Sequence, residues 1–147
     1  MRLPLFVYGT LREPTLLAIL LGRRPAPPLP TVAPGWRAVP APGKPWPVLA
    51  RAPGRAAEGL VLLGLTAFET DLLDAWEGDA YRRLPLAVMI GEELHEAEAY
   101  LPVVAPAGDA PDWSYGAWKE VHAAEAIAAA RAEAEELRAH LISIRPN

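Results

Sequence analysis

Ten of the 17 prolines in this 147-residue chain crowd into residues 25–53. Proline fixes φ and has no N–H to donate, so it breaks helix interiors and avoids the middle of sheets. The stretch therefore predicts neither a long helix nor a central strand. Short strands broken by turns fit it, around Val32 to Val39 and Pro47 to Arg51. It also contains Trp36, Trp46, Val48 and Leu49, whose apolar surface needs burial. The segment reads as ordered and proline-pinned, crossing a barrel or covering a pocket, rather than as a linker.

The flanks carry cleaner signals. Leu5-Phe6-Val7-Tyr8 is an apolar run that stops at Gly9-Thr10, the pattern of a buried strand entering a turn. Leu16 to Leu21 is a short apolar helix stopped by Gly22. Glu58 to Leu65 reads as a continuous apolar strand. Thr66 and Glu69 then have the spacing of a capping box, so a helix runs over 67–77 and ends at Gly78. Phe68, Leu72 and Trp76 form its apolar stripe with Leu65 and Leu73 beside them; Asp71 and Asp74 lie opposite. Leu84–Ile90 and Glu96–Val103 pair as an antiparallel hairpin turning at Gly91–Glu93. After a loop over 105–112, an alanine-rich, proline-free stretch from about 114 to 140 is a strong helix former, and Leu141–Ile144 is a short apolar ending. One α+β domain over 1–147, with a helical C-terminal tail from about 114, accommodates all of this.

Composition excludes several chemistries. The absence of cysteine removes disulfides, thiolate nucleophiles and cysteine zinc sites. His95, His122 and His140 are far apart and form no H-x-x-x-H pair, so they read as surface residues and no metal or cofactor is expected. Charge is uneven: residues 1–60 carry eight basic and two acidic side chains, whereas 61–147 carry six basic and sixteen acidic. The arginines are scattered among prolines instead of clustering with aromatics, so no nucleic-acid partner is expected. Met1-Arg2-Leu3-Pro4 runs straight into the first strand, and no apolar run approaches ~18 residues. A cytoplasmic protein without membrane association is expected. Twelve arginines against two lysines suggest a GC-rich bacterial genome. Nothing in the composition sets the oligomeric state.

Two places can carry chemistry. At Tyr8-Gly9-Thr10-Leu11 the glycine lets a ligand approach the backbone, and amides at such a strand end can hold an anion. An ordinary strand-to-loop turn has the same local pattern. Glu77 sits in the last turn of its helix, where the negative end of the macrodipole disfavours its ionised form. A neighbouring apolar pocket would push the same way. A solvated helix-end carboxylate is the plainer alternative.

Three ordered blocks add a resemblance. They are Tyr8-Gly9-Thr10-Leu11, then Glu58-Gly59-Leu60-Val61-Leu62-Leu63, then Leu73-Asp74-Ala75-Trp76-Glu77-Gly78 followed by Tyr81-Arg82-Arg83. Together they resemble the gamma-glutamylcyclotransferase-like (AIG2-like) family over roughly residues 5 to 103. The resemblance implies that family's fold: a small mixed, curved or barrel-like sheet with a few helices. It implies an enzyme that releases 5-oxoproline from a γ-glutamyl amine, amino acid or peptide, without a cofactor. Glu77 would be the acid/base, and Tyr8, Gly9, Thr10 and Leu11 would bind substrate. Tyr81 and Arg83 would support the site, Arg83 by pairing with Asp74 or Glu77 or by receiving a substrate carboxylate. Tyr8 lines the pocket or is simply core, and Tyr115 and Trp118 close the pocket or anchor the last helix. The alternative is a non-catalytic binding domain for a small carboxylated metabolite. The pocket should open where the Tyr8–Leu11 loop meets the end of the 67–77 helix, its far wall built from the proline-rich segment and the C-terminal tail.

Overall fold

The computed structural model describes residues 3–144. Five strands form a closed barrel: β1 (Leu5–Val7), β2 (Leu29–Pro40), β3 (Pro47–Leu62), β4 (Tyr81–Ile90) and β5 (Glu93–Pro102), in the order β1-β3-β2-β4-β5. All neighbouring pairs are antiparallel except β1 with β5, which meet in parallel at Leu5 and Glu98 and close the barrel. Three α-helices accompany it: α1 (Pro14–Leu21), α2 (Ala67–Glu77) and α3 (Tyr115–Ile144). A single 3-10 turn over Thr10–Arg12 links β1 to α1.

Alternation along β1 organises two cores, because successive strand residues face opposite sides. Phe6 and Tyr8 point into the barrel, against Leu49, Val61, Val88 and the small residues Ala97 and Ala99. Leu5 and Val7 face outward onto a second core built with the helices, from Leu16, Leu20, Leu73 and Trp118. The alanines suit a narrow barrel, where small residues make room for large ones opposite. Gly59 serves the same end: a Cβ there would lie 2.4 Å from the Val7 carbonyl oxygen and 2.6 Å from the Phe6 ring.

The proline-rich segment departs from its sequence-based expectation. β2 is a long strand, hydrogen-bonded on both sides, not a set of short pieces. The prolines are tolerated where the ladders are thin. β2 meets β4 in register only at Val32–Met89, beside a hydrogen bond from the Thr31 hydroxyl to the Met89 carbonyl. The β2–β3 register breaks between Pro34 and Trp36, where Gly35 has φ +86°. Opposite that break, residues 52–55 of β3 leave the ladder, and Pro53 falls among the unpaired ones. Pro47 is the first residue of its strand, a position that needs no donor.

α2 has the expected bounds. Thr66 accepts from the Glu69 amide at 3.1 Å while Glu69 accepts from the Thr66 amide at 2.9 Å, which completes the capping box. Glu69 also receives Arg23 at 2.6 Å. Both strands of the β4–β5 hairpin start three residues earlier than the apolar pattern suggests, β4 ends as expected and β5 one residue sooner, and Gly91 turns the hairpin at φ +63°. Leu141–Ile144 are not a separate ending; they complete α3, which Ser114 opens by accepting from the Ala117 amide. α3 lies across α1 and α2, burying Trp118, Ala123, Ala130, Ala134 and Leu141. Its Arg138 donates to the carbonyls of Ile19 and Leu20 at the end of α1. No helix among the described residues is long and apolar enough to cross a membrane.

Candidate functional site

A cavity of about 690 Å³ opens at one end of the barrel. The Tyr8–Leu11 segment and Glu77 line it together, as do the β2–β3 loop, the 104–107 segment and α3. The meeting of the first loop with the end of α2 thus has the predicted geometry, and so does the far wall.

Glu77 reaches the cavity because the buried face of α2 differs from the stripe read off the sequence. Glu69, Thr70, Leu72 and Leu73 are its buried residues. Glu77 follows Leu73 by four residues, hence directly above it on the same face. Glu77 is partly buried and lines the cavity. Burial, and secondarily the charge of Asp74, push its pKa up to about 8. No hydrogen bond to its carboxylate forms among the described residues. Asp74, expected on the solvent side, is half-buried and fully engaged. It accepts from the Tyr100 hydroxyl at 2.6 Å and from Arg83 at 3.0 and 3.2 Å.

Around Glu77 stand three phenols. Tyr8 and Tyr100 are buried; Tyr81 is partly so. Tyr8 both lines the cavity and pins its rim, donating to the Tyr100 carbonyl. Tyr81 donates to the Pro47 carbonyl at 2.9 Å and also lines the cavity. Burial first, with a contribution from the Glu77 charge, raises the pKa of all three, so they remain neutral donors. Arg83 lies outside the cavity wall, paired with Asp74 and, at 2.5 Å, with Glu98. Of the roles open to it, pairing with Asp74 is the one observed.

Gly9 has φ −123°, so no left-handed conformation requires a glycine at this position. Its need is steric: a Cβ would come within 2.8 Å of Pro47 Cγ. The first amides of a helical turn lack partners within it. Those of Gly9, Thr10 and Leu11 find no acceptor on another element among the described residues. An anion or a polarised carbonyl oxygen is the kind of group that satisfies such a cluster.

Several cavity residues escaped sequence reading. Lys44 and Trp46 come from the proline-rich loop, with the Lys44 ammonium 5.3 Å from the Trp46 ring centre. His122, Glu125 and Glu133 come from α3, so His122 is not a plain surface histidine. Glu125 and Glu133 are eight residues apart and share a helix face, a spacing visible in the sequence; only packing shows that this face meets a cavity. Trp118 lines the cavity from the buried start of α3, where it stacks with Tyr115 and Trp113. Trp113 also donates to the Pro45 carbonyl at 2.8 Å, latching the loop before α3 to the β2–β3 loop. Glu58 is exposed and takes no part in the cavity. Among the described residues, no group of three or more His, Asp or Glu is placed to hold a metal ion.

The model of the family described as "Gamma-glutamyl cyclotransferase, AIG2-like" matches residues 5–120. The chain belongs to this family. Protein AIG2 C of Arabidopsis thaliana is 31% identical over 124 residues, covering 80% of this chain and 73% of the relative. AIG2-like protein D of the same plant is 29% identical and covers 90% and 89%. A solution structure of an Arabidopsis thaliana protein superposes with TM-score 0.67 at 27% identity, covering 90% of this chain and 81% of the other. A structure titled "Gamma-glutamyl cyclotransferase" superposes with TM-score 0.63 over 99% of this chain and 89% of its own, at 17% identity. That last likeness speaks for the fold. The family match extends just past the start of α3, so Glu125 and Glu133 lie beyond it.

Proposed function

We propose that this AIG2-like domain is a γ-glutamyl cyclotransferase that converts a γ-glutamyl amide into 5-oxoproline and a free amine. One observation carries the reading: an unpartnered carboxyl of raised pKa shares one cavity with Gly9, Thr10 and Leu11, whose amides have no acceptor on another element among the described residues. A γ-glutamyl amide offers an α-amine as nucleophile and its own γ-carbonyl as electrophile. Ring closure joins that nitrogen to the carbonyl carbon, and the carbon–nitrogen bond to the leaving amine then breaks. Glu77 takes the proton that the attacking amine loses and delivers it to the departing nitrogen. Attack within one molecule has a large proximity advantage, so the protein's share is to orient, desolvate and move protons. The amides of Gly9, Thr10 and Leu11 hold either the substrate α-carboxylate or the oxyanion that develops on the γ-oxygen. The three neutral phenols add no charge of their own beside Glu77.

The test is direct. The protein is incubated with a panel of γ-glutamyl dipeptides and γ-glutamyl amines, and 5-oxoproline is sought by mass spectrometry. Its formation by the wild type and not by Glu77→Gln supports the reading. Tight binding of the same compounds without any 5-oxoproline replaces it with a non-catalytic binding domain.

A further inference from the structure

The geometry points to Arg83 as a positioning residue that clamps the Asp74 carboxylate, holding a partly countered negative charge one helical turn from Glu77. The inference rests on the acid–base role proposed for Glu77, and it gives a reason for the Asp74–Arg83 pair that packing alone does not.

Asp74 and Glu77 lie at i and i+3 on α2, where side chains are neighbours about 5–6 Å apart at Cβ. Neither Asp74 nor Arg83 lines the cavity; an effect of the pair on the chemistry passes through Glu77 or through Tyr100, which donates to Asp74 and does line the cavity. Left to itself, a half-exposed aspartate on a helix samples several rotamers, and its charge is a poor fixed reference. Here both of its oxygens are held. Arg83 Nε reaches one and Nη2 the other, and Tyr100 donates to the first. Arg83 is itself fixed from β5 by Glu98. The planar guanidinium suits such a two-point grip, which a lysine makes less well.

The consequence has a sign. Asp74 opposes ionisation of Glu77, and Arg83 offsets part of that opposition. The other ionisable groups near Glu77 are the phenols of Tyr8, Tyr81 and Tyr100 and, around the cavity, Lys44, His122, Glu125 and Glu133. With this many ionisable groups at the cavity, a bulk titration would not single out one carboxyl. The measurement must therefore read Glu77 itself. Its side-chain carboxyl carbon, ¹³C-labelled and assigned by comparison with Glu77→Gln, is titrated by NMR from pH 5 to 10 in the full-length protein.

Arg83→Gln is expected to raise the Glu77 midpoint by about half a pH unit. Asp74→Asn is expected to lower it by a similar amount, and Arg83→Lys to fall between wild type and Arg83→Gln. A neighbouring charge moves a carboxyl by ~1–3 pKa units when close and buried, and solvent at Asp74 reduces this. The pH profile of kcat/KM should follow the same order. A purely structural pair would lower stability in both variants without opposite movements of one midpoint. Midpoints that stay put, or move together, overturn the inference. If Arg83→Gln does not fold, Asp74→Asn decides alone: an unmoved or higher midpoint overturns it. Should no γ-glutamyl compound be turned over, the functional reading fails while the NMR titration still settles the role of Arg83.

Discussion

Gly9 and Pro47 touch so closely that a β-carbon on the glycine would lie 2.8 Å from the proline Cγ and 3.0 Å from Cδ. The contact joins the loop after β1 to the first residue of β3, and both residues line the cavity. Gly9→Val therefore harms folding as well as binding. Overpacking of this kind costs about 1–3 kcal/mol, readable as a lower midpoint in chemical denaturation. Pro47→Ala in the same chain removes the ring and should restore part of the loss. A double variant no more stable than Gly9→Val would show that the contact with Pro47 is not the cause.

Glu77→Gln should lower turnover of a γ-glutamyl substrate by ~10²–10⁴, the usual loss when a general acid–base is removed. KM should change little, because the amide keeps the shape of the carboxyl. Steady-state kinetics on the best substrate of the panel checks this; wild-type turnover in the variant would remove Glu77 from the mechanism.

Stability should respond to the same carboxyl with a definite sign. Its pKa rises from an ordinary 4.5 to about 8 in the folded protein. Between those values the folded chain keeps a proton that the unfolded chain has lost, so this group's contribution to stability falls as pH rises through the window. Glu77→Gln has no proton to lose. It should match the wild type near pH 4 and exceed it by about 1–3 kcal/mol at pH 9. Denaturation curves at the two pH values give the difference, and an equal or opposite effect would mean that Glu77 ionises freely.

Catalysis should run the other way. A carboxyl that must be ionised to accept a proton is mostly protonated at pH 7 when its pKa is about 8. The rate should rise from pH 7 to 9, helped by deprotonation of the substrate ammonium. A rate that falls steadily over that range, with the protein still folded, would rule out Glu77 as the base.

The cavity wall supplied by α3 carries Glu125 and Glu133, both from the part of α3 beyond the family match, and the proposed reaction can place its leaving amine against that wall. A carboxylate on the leaving amine meets like charge there, although Lys44 offsets some of it. The γ-glutamyl amide of phenethylamine should be processed with a higher kcat/KM than γ-glutamylphenylalanine, which differs only by that carboxylate. Glu125→Gln/Glu133→Gln should narrow the gap by several-fold, and competition between the two compounds in one reaction reads it directly. An unchanged ratio would place the leaving group elsewhere.

Local chemistry made much of this protein legible from its sequence. The capping box at Thr66 and Glu69 and the stop at Gly78 bound α2 because both act through neighbours in the chain. The apolar run at Leu5–Val7, the turn at Gly91 and the alanine-rich stretch that becomes α3 are local in the same sense. Glu77 and the Tyr8–Leu11 segment stood out through a resemblance carried by short motifs. Other features depend on partners far along the chain. β2 is a central strand despite its prolines because the barrel closes around it with few pairs to β4, a fact of strand order rather than of composition. Asp74 is drawn from open solvent into a bonded, half-buried position by Tyr100 and Arg83, 26 and 9 residues away. The packing of α2 likewise brings Glu77 to a cavity, where its own sequence left a solvated helix-end carboxylate equally open. His122, Glu125 and Glu133 join that cavity only because α3 folds back across α1 and α2. Sequence specified what each segment is; the closing of the barrel and the return of α3 decided which side chains share a pocket, because burial is settled by contacts between segments and not within them.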